Sequence, residues 1–478
     1  MGEENLKKKT FTGTLWSAIE RFGVQVVSFL VTLVMARLLT PDDYGMVGML
    51  TIFIAVSQSL IDAGFSQGLI RKQDVSPRDT STVFYFNIAA SLFLYIVLWI
   101  AAPFIADFYD MPQLIVLTRV LSIGIVINSL GMVQRALFTI RLDFKTQAKA
   151  SFIASALAGA TGIWMAYSGF GVWALVGFQL LNFFTVTLFL WIVSPWRPAW
   201  LFSLKSFREL FSFGVGIAAS SVIDNIYRNL YLLVIGKWFR ADTLGYYTRA
   251  QQFGEIPMIF SGVIQRVSFP VLCTRKEEDQ HLASMMSRFI RISAFLTFPV
   301  MFVMAGVARP MIITVLGEKW EFSALLLQIL CLGLMWYPIS VLNQNILQVK
   351  GKSGLFFRLE VIKKVIGVAI ICVTLPFGLI PLCLGQMVNW WITIIISGIY
   401  TRRVIPLGLW QQIGDVLPVL ICSGISGVLS WFITHLFDVY VIGLVAGVAV
   451  GVLTYLMFSI TVLRKDFRAL VSMVRPIK

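Results

Sequence analysis

An arginine fork grips a phosphate through two parallel N–H donors, and a carboxylate held in a low-dielectric medium can pass a proton between two access states. This 478-residue sequence sets both kinds of group inside long apolar runs. Arg21, Arg119, Arg228, Arg249 and Arg266 are the deep cations, and Asp224, Glu255 and Glu20 are the acids placed to couple proton movement to a cargo. Asp224 and Arg228 stand four residues apart on one helix face, acid before base, the orientation that pairs best. That spacing suits a structural ion pair locking two helices and a pair facing a cavity equally well. Glu20 and Arg21 are adjacent, so they point about 100° apart and cannot form one pair on one face. Cations outnumber acids at depth, so a cavity they line favours an anionic cargo. Other chemistries lack their residues. Two histidines, His281 and His435, leave almost no imidazole for a metal cluster or a hydrolytic triad. The five cysteines are odd in number and widely spaced, reading as small core hydrophobes. No GxxxxGK[ST] loop occurs, and no cofactor is expected.

The elements that must position these charges follow from composition. The chain is 58% apolar and 13% charged, with 38 Phe and 14 Trp and a mean hydropathy of +0.83. A soluble domain carries about a quarter charged residues, so this surface needs lipid around it. A bilayer core takes about 20 helical residues. Charge, Pro and Gly cut the chain into fourteen runs of that size: 15–39, 44–66, 83–106, 114–138, 150–167, 172–193, 210–235, 246–271, 289–307, 322–347, 355–375, 379–400, 414–436 and 441–463. Helices are expected, because barrel strands would be about ten residues with dyad alternation. Lys7 to Lys9 precede a run too long for a signal peptide, so no cleavable leader is expected.

Charge placement sets the orientation. With a cytoplasmic amino terminus, loops on that side hold most of the 39 basic residues, whereas the opposite loops hold Lys237, Arg240, Arg309 and Lys319. The positive-inside rule then puts both termini in the cytoplasm, and the net charge of +15 is a topogenic signal rather than a nucleic-acid footprint. A shift of 200 positions lays Ala36-Arg37 over Gly236-Lys237, Asp42 over Asp242 and Gly45 over Gly245, an internal repeat. Six spans per repeat divide the chain into lobes 1–204 and 205–405, related by an axis along the membrane normal, with 406–478 as two further helices and a tail. Arg37, Arg135, Arg291, Arg358 and Lys364 lie within about two turns of span ends and are expected to snorkel. The deeper charges, at about 2.5 to 3.5 kcal/mol each in lipid, must pair or line water.

Short motifs add a resemblance. Thr12-Gly13-Thr14-Leu15-Trp16-Ser17-Ala18-Ile19, Asp62-Ala63-Gly64-Phe65-Ser66 with Ile70-Arg71-Lys72, Arg135-Ala136-Leu137 with Leu142-Asp143-Phe144, Arg266-Val267-Ser268-Phe269-Pro270 and Gly317-Glu318-Lys319-Trp320 stand in order along the chain. Together they resemble the Wzx-type polysaccharide flippases, nearest the colanic-acid branch of the multidrug/oligosaccharidyl-lipid/polysaccharide exporter superfamily. The resemblance implies an all-α, polytopic protein of two six-helix lobes around a central cavity plus two C-terminal helices. It implies translocation of undecaprenyl-diphosphate-linked oligosaccharide repeat units across the bacterial inner membrane by alternating access, with ion coupling. Membrane lipid, a polymerase and chain-length machinery are the implied partners. No coupling acid maps onto one position, so Asp224, Glu255 and Glu20 all stand.

Two other classes compete. A cation-coupled drug exporter of the same superfamily should show more lumenal acid than base. A polysaccharide polymerase or lipid-linked glycosyl ligase needs a sizeable outer loop, and the longest here, around Arg309 to Glu321, is about fourteen residues, short against the connections that hold substrates.

Overall fold

Lipid offers no hydrogen bond to an open backbone, so apolar runs of this length satisfy their own N–H and C=O groups as helices. The structure, a computed structural model, describes Gly23 and residues 26–62, 64–72, 74–275, 277–464 and 466–468, and over these it is all-α. The helices are α1 (Val26–Leu38), α2 (Pro41–Asp62), α3 (Phe65–Arg71), α4 (Pro77–Tyr109), α5 (Leu114–Leu121), α6 (Ile123–Ile140), α7 (Phe144–Tyr167), α8 (Val172–Val193), α9 (Leu204–Arg228) and α10 (Leu230–Trp238). They continue as α11 (Ala241–Glu255), α12 (Met258–Cys273), α13 (Asp279–Gly306), α14 (Ala308–Leu316), α15 (Glu321–Leu334), α16 (Tyr337–Val349), α17 (Ser353–Thr374), α18 (Leu379–Arg402), α19 (Leu409–Thr434) and α20 (Tyr440–Thr461).

Eleven helical stretches are long and apolar enough to cross a membrane, making this a multi-pass membrane protein. The other three of the fourteen expected runs fall on helices of a different kind. Only Val26–Leu38 of the first run is described as a continuous helix, and it is shorter. The eighth is interrupted at Ile256–Pro257 between α11 and α12. The eleventh, α17, carries Arg358, Glu360, Lys363 and Lys364, with Lys363 held 2.6 Å from Glu360. Glu20, Arg21, Lys7 to Lys9, the motif 12–19, Ala63, Lys276, Lys465, Arg475 and Lys478 lie outside the described residues.

Helix starts follow local chemistry. Ser76 and Asp79 close a capping box on α4 with Pro77 in its first turn, and Asp143 and Ser203 cap α7 and α9. Lys72, outside the spans, lies 3.1 Å from Asp79 and 3.4 Å from Glu209. Burial opposes its charge, but hydrogen bonding and attraction to Asp79, then Glu209, outweigh that and raise its pKa above the usual lysine value.

Contacts divide the chain into two units, Met1–Gly245 and Tyr246–Lys478, the boundary falling inside α11. In the first, α7 lies along α8, α6 packs on α4 and α8, and α2 rests against α8, α9 and α10. In the second, α13 lies along α19, α20 joins α19 and α14, and α15, α16 and α17 gather on α18. Outward faces such as Phe93, Ile96, Ile100 and Phe104 of α4 are exposed apolar surface, as lipid requires. Three of the five cysteines are buried, whereas Cys273 and Cys372 are exposed and so are not core residues.

The repeat seen in the sequence has a physical counterpart. α2 starts at Pro41 and α11 at Ala241, and their first turns cross on glycine. A Cβ on Gly45 would lie 1.8 Å from the Ala241 carbonyl oxygen, and one on Gly245 would lie 1.9 Å from the Pro41 carbonyl oxygen. The same device seats α19 on α13, where a Cβ on Gly427 would meet the Phe302 carbonyl oxygen at 2.7 Å.

Arg291, one of the cations expected to snorkel, reaches a carboxylate beyond the last span. Its Nη2 and Nε donate to Asp466 Oδ1 at 2.7 and 2.8 Å, and Asp466 is 6% exposed, so the pair ties α13 to the segment after α20. Arg291→Ala leaves that carboxylate buried and unpaired and should cost about 3 kcal/mol or more, read as a lower melting temperature in detergent. Asp466→Asn should cost less, since a neutral amide still fits the site. Equal melting of Arg291→Ala and the unmodified protein would refute this.

Candidate functional site

In the first unit, the seventh run is not one helix. α9 stops at Arg228, Asn229 leaves the helical region with φ −96° and ψ 6°, and α10 resumes. Asn229 Nδ2 donates to the Asn225 carbonyl at 2.8 Å, closing part of the gap. Arg228 therefore sits at the carbonyl end of a helix, where the backbone dipoles favour a cation. Asp224 and Arg228 are both exposed, and Ser220 extends their line one turn back. Ions halfway along an apolar run cannot face acyl chains cheaply, so each pairs or meets water.

Beside it lies a polar cleft of about 300 Å³ between α2 and α9, lined by Gln58, Ser59, Asp62, Gln67, Ser221 and Asn225. Asn225 Nδ2 donates to Ser59 Oγ at 2.7 Å. Asp62 ends α2, and its Oδ1 accepts from the Ser66 amide at 3.3 Å and from the Ser66 hydroxyl. Asp62 is the acid that sequence reasoning passed over as a coupling candidate. The usable signal was its place beside Gly64, whose φ of 71° breaks the run.

Arg119 is elsewhere. α5 packs mainly on α4, α6 and α8, whereas α9 meets α2, α3 and α4. The Arg119 guanidinium lies 4.5 Å from the centre of the Trp99 ring, and its Nε is buried with no hydrogen-bond partner. That is a cation–π contact at the start of the fourth run, not a member of the Asp224–Arg228 strip.

In the second unit, Arg249 lies half-buried on α11, and Glu255 ends that helix, exposed and accepting from Gln251 Nε2 at 2.9 Å. Arg266 lies on α12, and its side chain is outside the described set. Tyr247 donates to Gln386 Oε1 at 2.9 Å, and Gln265 Nε2 donates to Asn345 Oδ1 at 3.5 Å. Gln252 Oε1, Asn345 Nδ2 and Asn389 Oδ1 are buried with no hydrogen-bond partner, so α11, α16 and α18 carry open amide groups in the unit's interior. Among the described residues no group of three His, Cys, Asp or Glu could hold a metal.

Helices broken inside a membrane-length run, with charge at the break, are the arrangement from which transporter folds build their binding sites. Solved structures agree on the fold. The lipid II flippase MurJ in its inward closed conformation superposes with a TM-score of 0.75 at 16% identity over 95% of this chain and 99% of that one. An inward-facing multidrug resistance MATE family transporter of the MOP superfamily gives 0.63 at 16% identity, over 81% and 98%. The chain belongs to the polysaccharide biosynthesis protein family, whose model matches residues 34–325. The lipopolysaccharide biosynthesis protein WzxC of Escherichia coli (strain K12) is 24% identical over 442 residues, 89% of each chain. The teichuronic acid biosynthesis protein TuaB of Bacillus subtilis (strain 168) is 24% identical over 359 residues, 74% of each.

Proposed function

We propose that this chain flips an undecaprenyl-diphosphate-linked oligosaccharide from the cytoplasmic to the periplasmic leaflet of the bacterial inner membrane by alternating access driven by an ion gradient. The observation that carries the reading is the charged end of α9, where Arg228 stands exposed at the break, with the polar cleft between α2 and α9 on the same helix. A cation there suits an anionic cargo. Support comes from relatives named for unrelated glycans: a lipopolysaccharide, teichuronic acid and, for the transport protein ExoT of Rhizobium meliloti (strain 1021), succinoglycan. A shared carrier with variable sugars fits that spread, and the MurJ fold serves a lipid-linked cargo by that protein's name.

In this reading the sequence lobes 1–204 and 205–405 are the moving halves, 406–478 is the appended pair of helices, and both termini are cytoplasmic. Arg228 and Arg249, with Arg21 and Arg266, attract the diphosphate, while Arg119, held on Trp99, stands apart from them. Asp224, Glu255 and Glu20 are joined by Asp62 as coupling acids. Polymerase and chain-length proteins receive the product. Deleting the gene should make cells accumulate lipid-linked repeat units on the cytoplasmic leaflet, measured by extraction and mass spectrometry with leaflet-selective labelling. Unchanged lipid-linked pools together with new drug sensitivity would instead mark a drug exporter.

Asp62→Asn keeps the acceptor for Ser66 but removes the charge. Flipping in proteoliposomes should then lose its response to an imposed proton or sodium gradient, falling by roughly tenfold to the undriven rate, since a coupling of 1.4 kcal/mol is a factor of ten. A gradient response equal to that of the unmodified protein would remove Asp62 from the list.

A further inference from the structure

The second unit holds a cavity that the translocation strip does not use. α13 ends at Gly306, α15 starts at Glu321, α19 ends at Thr434 and α20 starts at Tyr440, all at the end of the unit away from Asp279 and Leu409. Below that end the helices are drawn together, since a Cβ on Gly306 would lie 2.5 Å from the Gly427 carbonyl oxygen. Above it, α14 and the 435–439 turn splay apart around about 530 Å³, within the range of sites that enclose a small ligand.

We propose that this cavity binds a neutral pyranose oligosaccharide. Three features choose the ligand. Its walls carry Trp431, Phe322, Phe437 and Tyr440, all partly exposed into or beside the space, and flat aromatic surface suits the C–H face of a sugar ring. Its polar groups offer both donors and acceptors. Arg309 uses one Nε and one Nη2 proton on Glu321 Oε1, at 2.9 and 2.7 Å, which leaves three of its five N–H donors open, and Gln328 uses one of its two amide protons on the Ala305 carbonyl at 3.2 Å. His435 Nδ1 lies 2.8 Å from the Trp431 carbonyl, which can only accept, so Nδ1 carries a proton. The second oxygen of Glu321, Gln328 Oε1 and the Asp438 carboxylate line the same space as acceptors. Hydroxyl groups, which donate and accept at one atom, suit such a mixed rim. The third feature is charge, because two carboxylates against one guanidinium repel a phosphate. An interfacial aromatic girdle alone would need neither a concavity nor converging acceptors.

The site rests on the proposed function for its orientation: with cytoplasmic termini it opens on the side where cargo is released, so it would hold the sugar after transit. The sugar can come from a lipid-linked unit or from glycan already detached. Full-length protein in nanodiscs is equilibrated with fluorescently labelled oligosaccharide released by mild acid from the producing cells' lipid-linked pool, and separately with that pool intact. Retention of the released sugar is expected. Trp431→Ala, Glu321→Gln and Asp438→Asn should each weaken it roughly ten- to a hundredfold, the range of a hydrogen bond to a charged group. Arg78→Gln, at an exposed cation of the first unit, should leave it unchanged. Asp438 and Glu321 are exposed, so their variants keep the proposal testable if Trp431→Ala misfolds. Equal loss for the intact pool marks a site that reads the sugar on its lipid, and loss only for the released sugar marks one that serves detached glycan. No retention by the unmodified protein, or retention indifferent to all three variants, overturns the proposal. Lipid-linked units building up on gene deletion test the flippase reading independently, so the two can fail separately.

Discussion

Gly45→Ala and Gly245→Ala should each destabilise the protein by about 2 to 3 kcal/mol, at the upper end of overpacking costs. The reason is the atom each methyl would meet. Backbone carbonyl oxygens at 1.8 and 1.9 Å cannot rotate aside as a long side chain can, so the α2 and α11 starts must separate. Leucine at either position should abolish accumulation of folded protein. The double variant Gly45→Ala with Gly245→Ala gives the sharper test. Both methyls open the same crossing, so once one has widened it the second meets less resistance, and the double should cost clearly less than the sum. Thermal unfolding in detergent, followed by size-exclusion elution, measures all three. Strict additivity, or melting unchanged in either single variant, would mean the crossing is looser than described.

Arg228→Gln combined with Arg249→Gln should abolish surface glycan in a complementation assay while the protein still reaches the membrane. Each charge-assisted contact to a phosphate contributes about 1.5 to 3 kcal/mol, so the pair should weaken cargo engagement by roughly a hundredfold or more. Losing Arg228 from the carbonyl end of α9 costs at most about 1 kcal/mol of stability, too little to account for the loss by unfolding. Lysine at both positions keeps charge without the planar fork and should recover only part of the activity. In proteoliposomes the glutamine pair should raise the cargo concentration needed for half-maximal flipping. Full complementation by it would detach these residues from the diphosphate.

The sequence was most readable where physics is local. Membrane-length apolar runs announce their helices whatever they pack against, and eleven of them stand as such. The shift of 200 residues was readable because it repeats a backbone requirement, Gly45 and Gly245 each meeting a carbonyl. Interruptions were harder to see. Asp224 and Arg228 looked mid-helix because Asn229 is tolerated in helices, yet α9 ends there. Asp62 was passed over because its importance depends on α9 lying across it.

By itself, then, the order of residues determined a polytopic helical membrane protein with surplus cations at depth, because burying apolar surface and avoiding lone ions in lipid are decided residue by residue. Tertiary structure alone decided which ions stay exposed and which meet a partner. Arg119 lies over Trp99, Arg291 is bound to Asp466 175 positions away, and Arg228 stands exposed at the end of α9. The same holds for the cavity of the second unit, whose walls come from five separate helices, two of which close beneath it on glycine. A charge's fate depends on what lies within a few ångströms, and in a folded helical bundle those neighbours are set by helix pairing rather than by chain order.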